Sequence, residues 1–204
     1  MSYPSVPYEL SWEAYLELEA QSEERYEYHD GEIVAMSGAT NRHNQMIGNA
    51  YIALRAGLDA QGCGVFSETV KLFRHRSDRY LYPDLTATCH PFDLQTRNGV
   101  RSPFLILEVL SKTNTHRQMR FKQREYFKLP SLRHYLLAEQ EAMSVHHYCR
   151  QDGGLWDIRF FESPDDCIEL PELGISLRLG DLYAGITLDP EVSEAEEAAA
   201  LYGE

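Results

Sequence analysis

The seven residues from Phe104 to Leu110, FLILEVL, constrain this chain more than any other stretch. The run is almost wholly apolar and too short for most helices. It reads as a central β-strand covered on both faces. One residue breaks it. By the two-residue period of a strand, Glu108 shares a face with Ile106 and Leu110. A carboxylate placed among such neighbours costs several kcal/mol unless it is paired, protonated or bound to a cation. The plain explanation is an ion pair with Arg or Lys. The functional one is a metal site or a catalytic carboxylate.

Two other residues bear on that choice. Asp84 follows Pro83 at the start of LYPDLTATC. Proline cannot donate to a sheet ladder, so it marks a strand beginning or an edge kink, where two strands can bring carboxylates together. Two close carboxylates repel, and a hard divalent cation such as Mg²⁺ resolves the repulsion. Lys122 is the second. Met119, Lys122 and Tyr126 stand at i, i+3 and i+7, on one face of a helix expected over about 115–129. That face carries the apolar residues and should look toward the sheet. An inward lysine needs an acid, and Glu108 is a candidate. Such a lysine either orients water and phosphate or snorkels along the helix flank.

Charge is distributed unevenly around these residues. The formal net charge of −13 argues by itself against nucleic acid. Six acids and no Lys or Arg lie in 189–204, so the rest of the chain carries −7. Between Lys112 and Lys128 there are six basic residues against the single acid Glu125. This is either a solvated helix face or a segment reserved for an anion. The length of 204 residues fits one domain over 1–188 followed by an acidic tail over 189–204.

No run of 18 apolar residues is present, so no membrane-spanning helix is expected. Met1 to Leu10 is polar and carries Glu9, unlike a signal peptide, and a cytoplasmic protein is expected. Cys63, Cys89, Cys149 and Cys167 are far apart and form no C-x-x-C pair, which predicts buried reduced thiols. The eight histidines make no H-E-x-x-H or similar spacing, and His146 and His147 should point to opposite faces of a strand, so zinc is not expected.

The remaining punctuation gives the architecture. Ser11 caps a helix over WEAYLELEA. Asp30-Gly31 joins two short strands. Met46, Ile47, Ala50, Tyr51, Leu54 and Leu58 form one stripe of a helix over about 41–60. Strands are expected over 65–67, 69–73 and 80–88, then a polar loop over 90–102. Beyond the 115–129 helix, 134–138, 144–150 and 156–161 read as strands. The fold class is α/β, a mixed central β-sheet flanked by helices.

In this order the pieces resemble a known family. RYEYHDGEIVAMSG, then His43, YPD at 82–84, LILEVLSKT at 105–113, Lys122 and Tyr126 spaced K-x-x-x-Y, and HYLLAE at 134–139 are similar to the Uma-type restriction endonuclease family, of the PD-(D/E)XK nuclease superfamily. The resemblance covers about half the chain. It implies a restriction-endonuclease-like core and a metal ion, Mg²⁺ with Mn²⁺ as substitute, held by Asp84, Glu108 and the backbone carbonyl of Val109. It also implies that Lys122 replaces the superfamily lysine, since Leu110 occupies the usual position. It further implies that Glu27 is an outer acid and that His43 contacts phosphate or caps its helix. Gln118 stands where the family has an acid one turn before the lysine.

Three functions follow. The first is a Mg²⁺-dependent endonuclease acting on DNA as a homodimer. Asp84, Glu108, Lys122 and Glu27 form its site, and His43, Lys112, Arg117 and Arg120 contact phosphate. The second is a weak or inactive module of the same fold that binds nucleic acid or protein, which the net charge and Gln118 favour. The third, a glycosidase with paired carboxylates, does not call for a basic helix beside its site.

Overall fold

The computed structural model describes residues 10–22, 25–29, 32–35, 40–73, 79–97, 99–110 and 116–188. The acidic tail, Lys112 and the Asp30-Gly31 turn lie outside these residues. Its centre is a six-stranded sheet. In spatial order its strands are β10 (Trp156–Phe161), β9 (Val145–Arg150), β8 (His134–Glu139), β7 (Leu105–Leu110), β6 (Leu85–Thr88) and β3 (Gly64–Ser67). β7 and β8 run parallel, and every other neighbouring pair in this sheet is antiparallel.

β7 has neighbours on both edges and a core on both faces, as its composition requires. Leu105, Leu107 and Val109 pack with the stripe of helix α2 (Asn41–Leu58), formed by Met46, Ile47, Ala50, Leu54 and Leu58. On the other face Ile106 packs with Tyr126, Leu129, Leu132 and Tyr135 beneath helix α4 (His116–Tyr126). Full burial of each large apolar side chain is worth about 1.5–3 kcal/mol. The two clusters therefore fix α2 and α4 on opposite sides of β7.

A second sheet carries the N-terminal hairpin. β1 (Tyr26–His29) and β2 (Glu32–Ala35) pair antiparallel, and β1 also pairs with β5 (Arg79–Leu81), which in turn pairs with β4 (Leu72–Phe73). Helix α1 (Trp12–Gln21) starts where Ser11 Oγ accepts the Ala14 amide at 3.2 Å. It docks on β1 through the Tyr15 hydroxyl, which donates to the Tyr26 carbonyl at 2.9 Å.

Three expectations are corrected. The strand expected over 80–88 is two strands, β5 and β6, in different sheets. Pro83 has no N–H to continue a ladder, and the chain leaves one sheet for the other at Pro83-Asp84. The loop expected over 90–102 contains a helical turn, α3 (Pro91–Gln95), begun by Pro91 at its first position and capped by His90. Cys63 and Cys89 are not reduced thiols but a disulfide. The antiparallel register that pairs Gly64 with Thr88 sets residues 63 and 89 opposite each other, a relation that sequence spacing does not show.

The chain ends its described part with the hairpin β11 (Cys167–Leu170) and β12 (Ile175–Arg178) and the short helix α5 (Leu179–Leu182), packed on the α2 side. No helix among the described residues is long and apolar enough to cross a membrane.

Candidate active site

The site forms where β6 and β7 meet the two helices. Leu85 pairs with Leu107, so one step further the antiparallel spacing sets Asp84 opposite Glu108. The Asp84 carboxylate is tied to the end of β7, where Oδ2 accepts the Val109 amide at 2.7 Å. The same oxygen lies 3.2 Å from His43 Nε2, in the first turn of α2. Among the described residues Oδ1 accepts no hydrogen bond, and Asp84 is part-exposed.

Glu108 is 1 % exposed and faces α4. Lys122 Nζ lies 2.8 Å from its Oε1 and 3.0 Å from its Oε2, and the Tyr126 hydroxyl donates to Oε1 at 2.5 Å. Lys122 also donates to the Tyr82 carbonyl at 3.2 Å and stands 3.2 Å from Glu27 Oε1. Glu27 accepts the Tyr82 amide at 3.0 Å through that oxygen. Tyr82 is braced in turn by Glu19 of α1, which Lys71 pairs. Met119, Lys122 and Tyr126 are all buried, as the helical spacing predicts.

The electrostatics follow from burial. Desolvation lifts the Glu108 carboxyl to about 8, Lys122 and Tyr126 pull the other way, and the charge of Asp84 adds to the rise. For Lys122, burial opposes the charge, but Glu108, Glu27 and Asp84 outweigh it and hold the ammonium above its ordinary value. At His43 burial again opposes the charge. The hydrogen bond to Asp84 and the charges of Asp84, Glu68 and Glu108 prevail and raise its pKa. Among the described residues His43 Nδ1 is buried with no hydrogen-bond partner, an unusual condition for a polar atom and one common at functional sites.

These shifts have a sign. Glu108, raised from 4.5 to about 8, holds its proton more tightly folded than unfolded, so its contribution is present at low pH and lost as pH rises through 8. His43, also raised, contributes below its unfolded value and loses that contribution in the same direction. Lys122 stays charged throughout. In chelator, the unfolding free energy should fall by about 2 kcal/mol between pH 6.5 and 9, at 1.36 kcal/mol per pKa unit for Glu108. Urea titrations at the two pH values check this, and a stability that rises over that interval contradicts it.

The structure thus brings Asp84, Glu108, Val109, Lys122, Glu27 and His43 together. Arg120 is exposed on α4, Arg117 lies in the first turn of the same helix, and Lys112 falls outside the described residues. Sequence reasoning missed Glu68. It follows β3 with φ of 42°, a conformation that costs a non-glycine residue on the order of 1 kcal/mol, and its amide donates to the Asp84 carbonyl at 2.9 Å. Its only signal was its place in the gap between two expected strands.

The fold is thus a six-stranded mixed sheet flanked by helices, with a lysine-clasped glutamate opposite an aspartate at a strand end. A crystal structure described as that of a "putative nuclease" from Anabaena variabilis superposes with a TM-score of 0.71 at 16 % identity, covering 87 % of this chain and 99 % of that one. The chain belongs to the Uma2 family, described as "Putative restriction endonuclease", whose profile matches residues 12–180. Two uncharacterized proteins of Synechocystis are each 30 % identical. One aligns over 184 residues, 90 % of this chain and 96 % of its own length. The other aligns over 144 residues, 70 % and 81 %.

Proposed function

We propose that the protein is a metal-dependent endonuclease that hydrolyses phosphodiester bonds of DNA. The observation that carries this is the opposition of Asp84 to Glu108 at one end of the sheet, with Lys122 held between Glu108 and Glu27. The donor set fits a hard divalent cation: two opposed carboxylates, one with an oxygen that accepts no hydrogen bond among the described residues, and a Glu108 whose pKa is raised by burial first and by the charge of Asp84 second. Asp84, Glu108 and the Val109 carbonyl would hold Mg²⁺, or Mn²⁺ in its place. Such an ion neutralises charge on phosphate oxygens and lowers the pKa of bound water.

The protein's own groups supply the rest. Lys122 orients water against the scissile phosphate, and Glu27 fixes the ammonium. His43, tied to Asp84 through Nε2, positions that carboxylate and stands beside the phosphate. Arg117, Arg120 and Lys112 contact the backbone of the duplex, which makes binding sensitive to salt. The nuclease domain spans 1–188 and works as a homodimer, since cutting both strands of a duplex takes two sites. A second reading is a module of the same fold that binds nucleic acid or protein without cutting. Its support is the sealed state of Glu108, both of whose oxygens are engaged by Lys122.

Supercoiled plasmid incubated with Mg²⁺ or Mn²⁺ separates the two. Nicked and linear products that vanish in chelator, and fall at least about a hundredfold in Asp84→Asn, are expected. Metal binding by calorimetry without cleavage of supercoiled, branched or single-stranded DNA would favour the module.

A further inference from the structure

On the sheet face opposite Glu108, three metal-ligating side chains converge. His134 and Cys149 are paired across β8 and β9, and His147 sits two residues from Cys149 on the same side of β9. They share the face of Leu136, Ala138 and Val145, in the cluster beneath α2. One ligand atom from each of His134, His147 and Cys149 lies within 4.8 Å of the others. His134 Nδ1 is 2.9 Å from His147 Nε2, and His134 Nε2 is 3.1 Å from the Glu172 carboxylate, in the connection between β11 and β12. Cys149 is a free thiol.

The hydrogen bonds fix the tautomers. A carboxylate only accepts, so His134 carries its proton on Nε2 and presents a bare lone pair at Nδ1. His147 then donates through Nε2, into the space the three groups enclose. A buried histidine whose outer nitrogen donates to a carboxylate is the arrangement that orients imidazole ligands of zinc. Ideal tetrahedral bonds of roughly 2.0–2.1 Å to nitrogen and 2.3 Å to sulfur place ligand atoms roughly 3.3–3.7 Å apart. The observed spread, within 4.8 Å, exceeds that spacing by at most about 1.5 Å.

We infer that His134, His147 and Cys149 form a second metal site, selective for Zn²⁺ or a similar soft-to-borderline divalent ion, with Glu172 as the positioning residue for His134. On binding, the Cys149 thiol loses its proton to solvent, and His147 moves its own from Nε2 to Nδ1. Nitrogen and thiolate donors discriminate against Mg²⁺, which requires oxygen ligands, so this site and the acidic one would not compete for the same ion. Three protein ligands leave a fourth position for water. The ion would join β8 and β9 and, through Glu172, hold the hairpin that follows them.

The test uses the full chain stripped of metal, titrated with Co²⁺ in excess Mg²⁺. One equivalent should bind and give a thiolate-to-cobalt charge-transfer band, displaced by Zn²⁺. Cys149→Ser should abolish the band, while Asp84→Asn and Cys167→Ser keep it. Glu172→Ala, at a side chain 54 % exposed and outside the sheet, should weaken Zn²⁺ about ten- to a hundredfold without loss of fold. A band that survives Cys149→Ser, Zn²⁺ affinity unchanged in Glu172→Ala, or no stoichiometric binding would each overturn the site. None of these outcomes depends on whether DNA is cut.

Discussion

Lys122→Met should lower the unfolding free energy by about 3 kcal/mol at neutral pH, the low end of the range for breaking a buried ion pair from one side. The ammonium bridges both oxygens of Glu108, one of Glu27 and the Tyr82 carbonyl. Methionine fills the space but satisfies none of them. Glu108 limits the damage by keeping a proton, because its pKa already stands near 8. Without Lys122 the Glu108 pKa rises further, so the variant keeps losing stability above pH 8 where the wild type no longer does, and the deficit should widen at pH 9. Adding Glu108→Gln should recover only part of the loss, since a neutral amide needs no counter-charge but the ammonium is still gone from Glu27 and the Tyr82 carbonyl. Urea titrations with an unchanged m-value would show this as a shift in midpoint alone. A single variant within 1 kcal/mol of the wild type, roughly the value of a surface pair, would mean that Lys122 is not the charge that keeps Glu108 in the core.

The same cluster shows which parts of the site sequence reasoning could reach. A charge inside FLILEVL is visible because hydrophobic burial and charge burial conflict within one strand, and the conflict demands a cation. Helical spacing then put Lys122 and Tyr126 on the inward face of α4, and both bond to Glu108. Pro83 marked a break, but not that the chain changes sheets there. That change is what brings Glu27 of β1 onto Lys122 and Tyr82. Partners set by register between distant strands left no local signal. The Cys63–Cys89 disulfide and the convergence of His134, His147 and Cys149 both depend on which strand lies beside which. Linear ligand spacing detects metal sites only when the ligands share one element or one turn. The strained φ of Glu68 is likewise a product of tertiary context, since glutamate has no preference for that conformation.

Glu108→Gln should separate activity from stability. If the glutamate is retained for function, its replacement should reduce metal-dependent cleavage by at least about a hundredfold, while the unfolding free energy stays within about 1 kcal/mol of the wild type. Glutamine keeps an oxygen to accept the Tyr126 hydroxyl, and Lys122 keeps Glu27 and the Tyr82 carbonyl. The desolvation cost of the carboxylate disappears with its charge, which offsets the weaker bond to Lys122. The apo protein should also lose its fall in stability between pH 6.5 and 9, because Glu108 is the main group titrating there. A metal site has no such tolerance: an amide oxygen without formal charge is a poor substitute for a carboxylate against a hard cation. Loss of cleavage with the fold intact is thus the signature of a residue whose charge serves the reaction. A variant that unfolds would make Glu108 a structural ion-pair partner, and one that cleaves as fast as the wild type would remove it from the site.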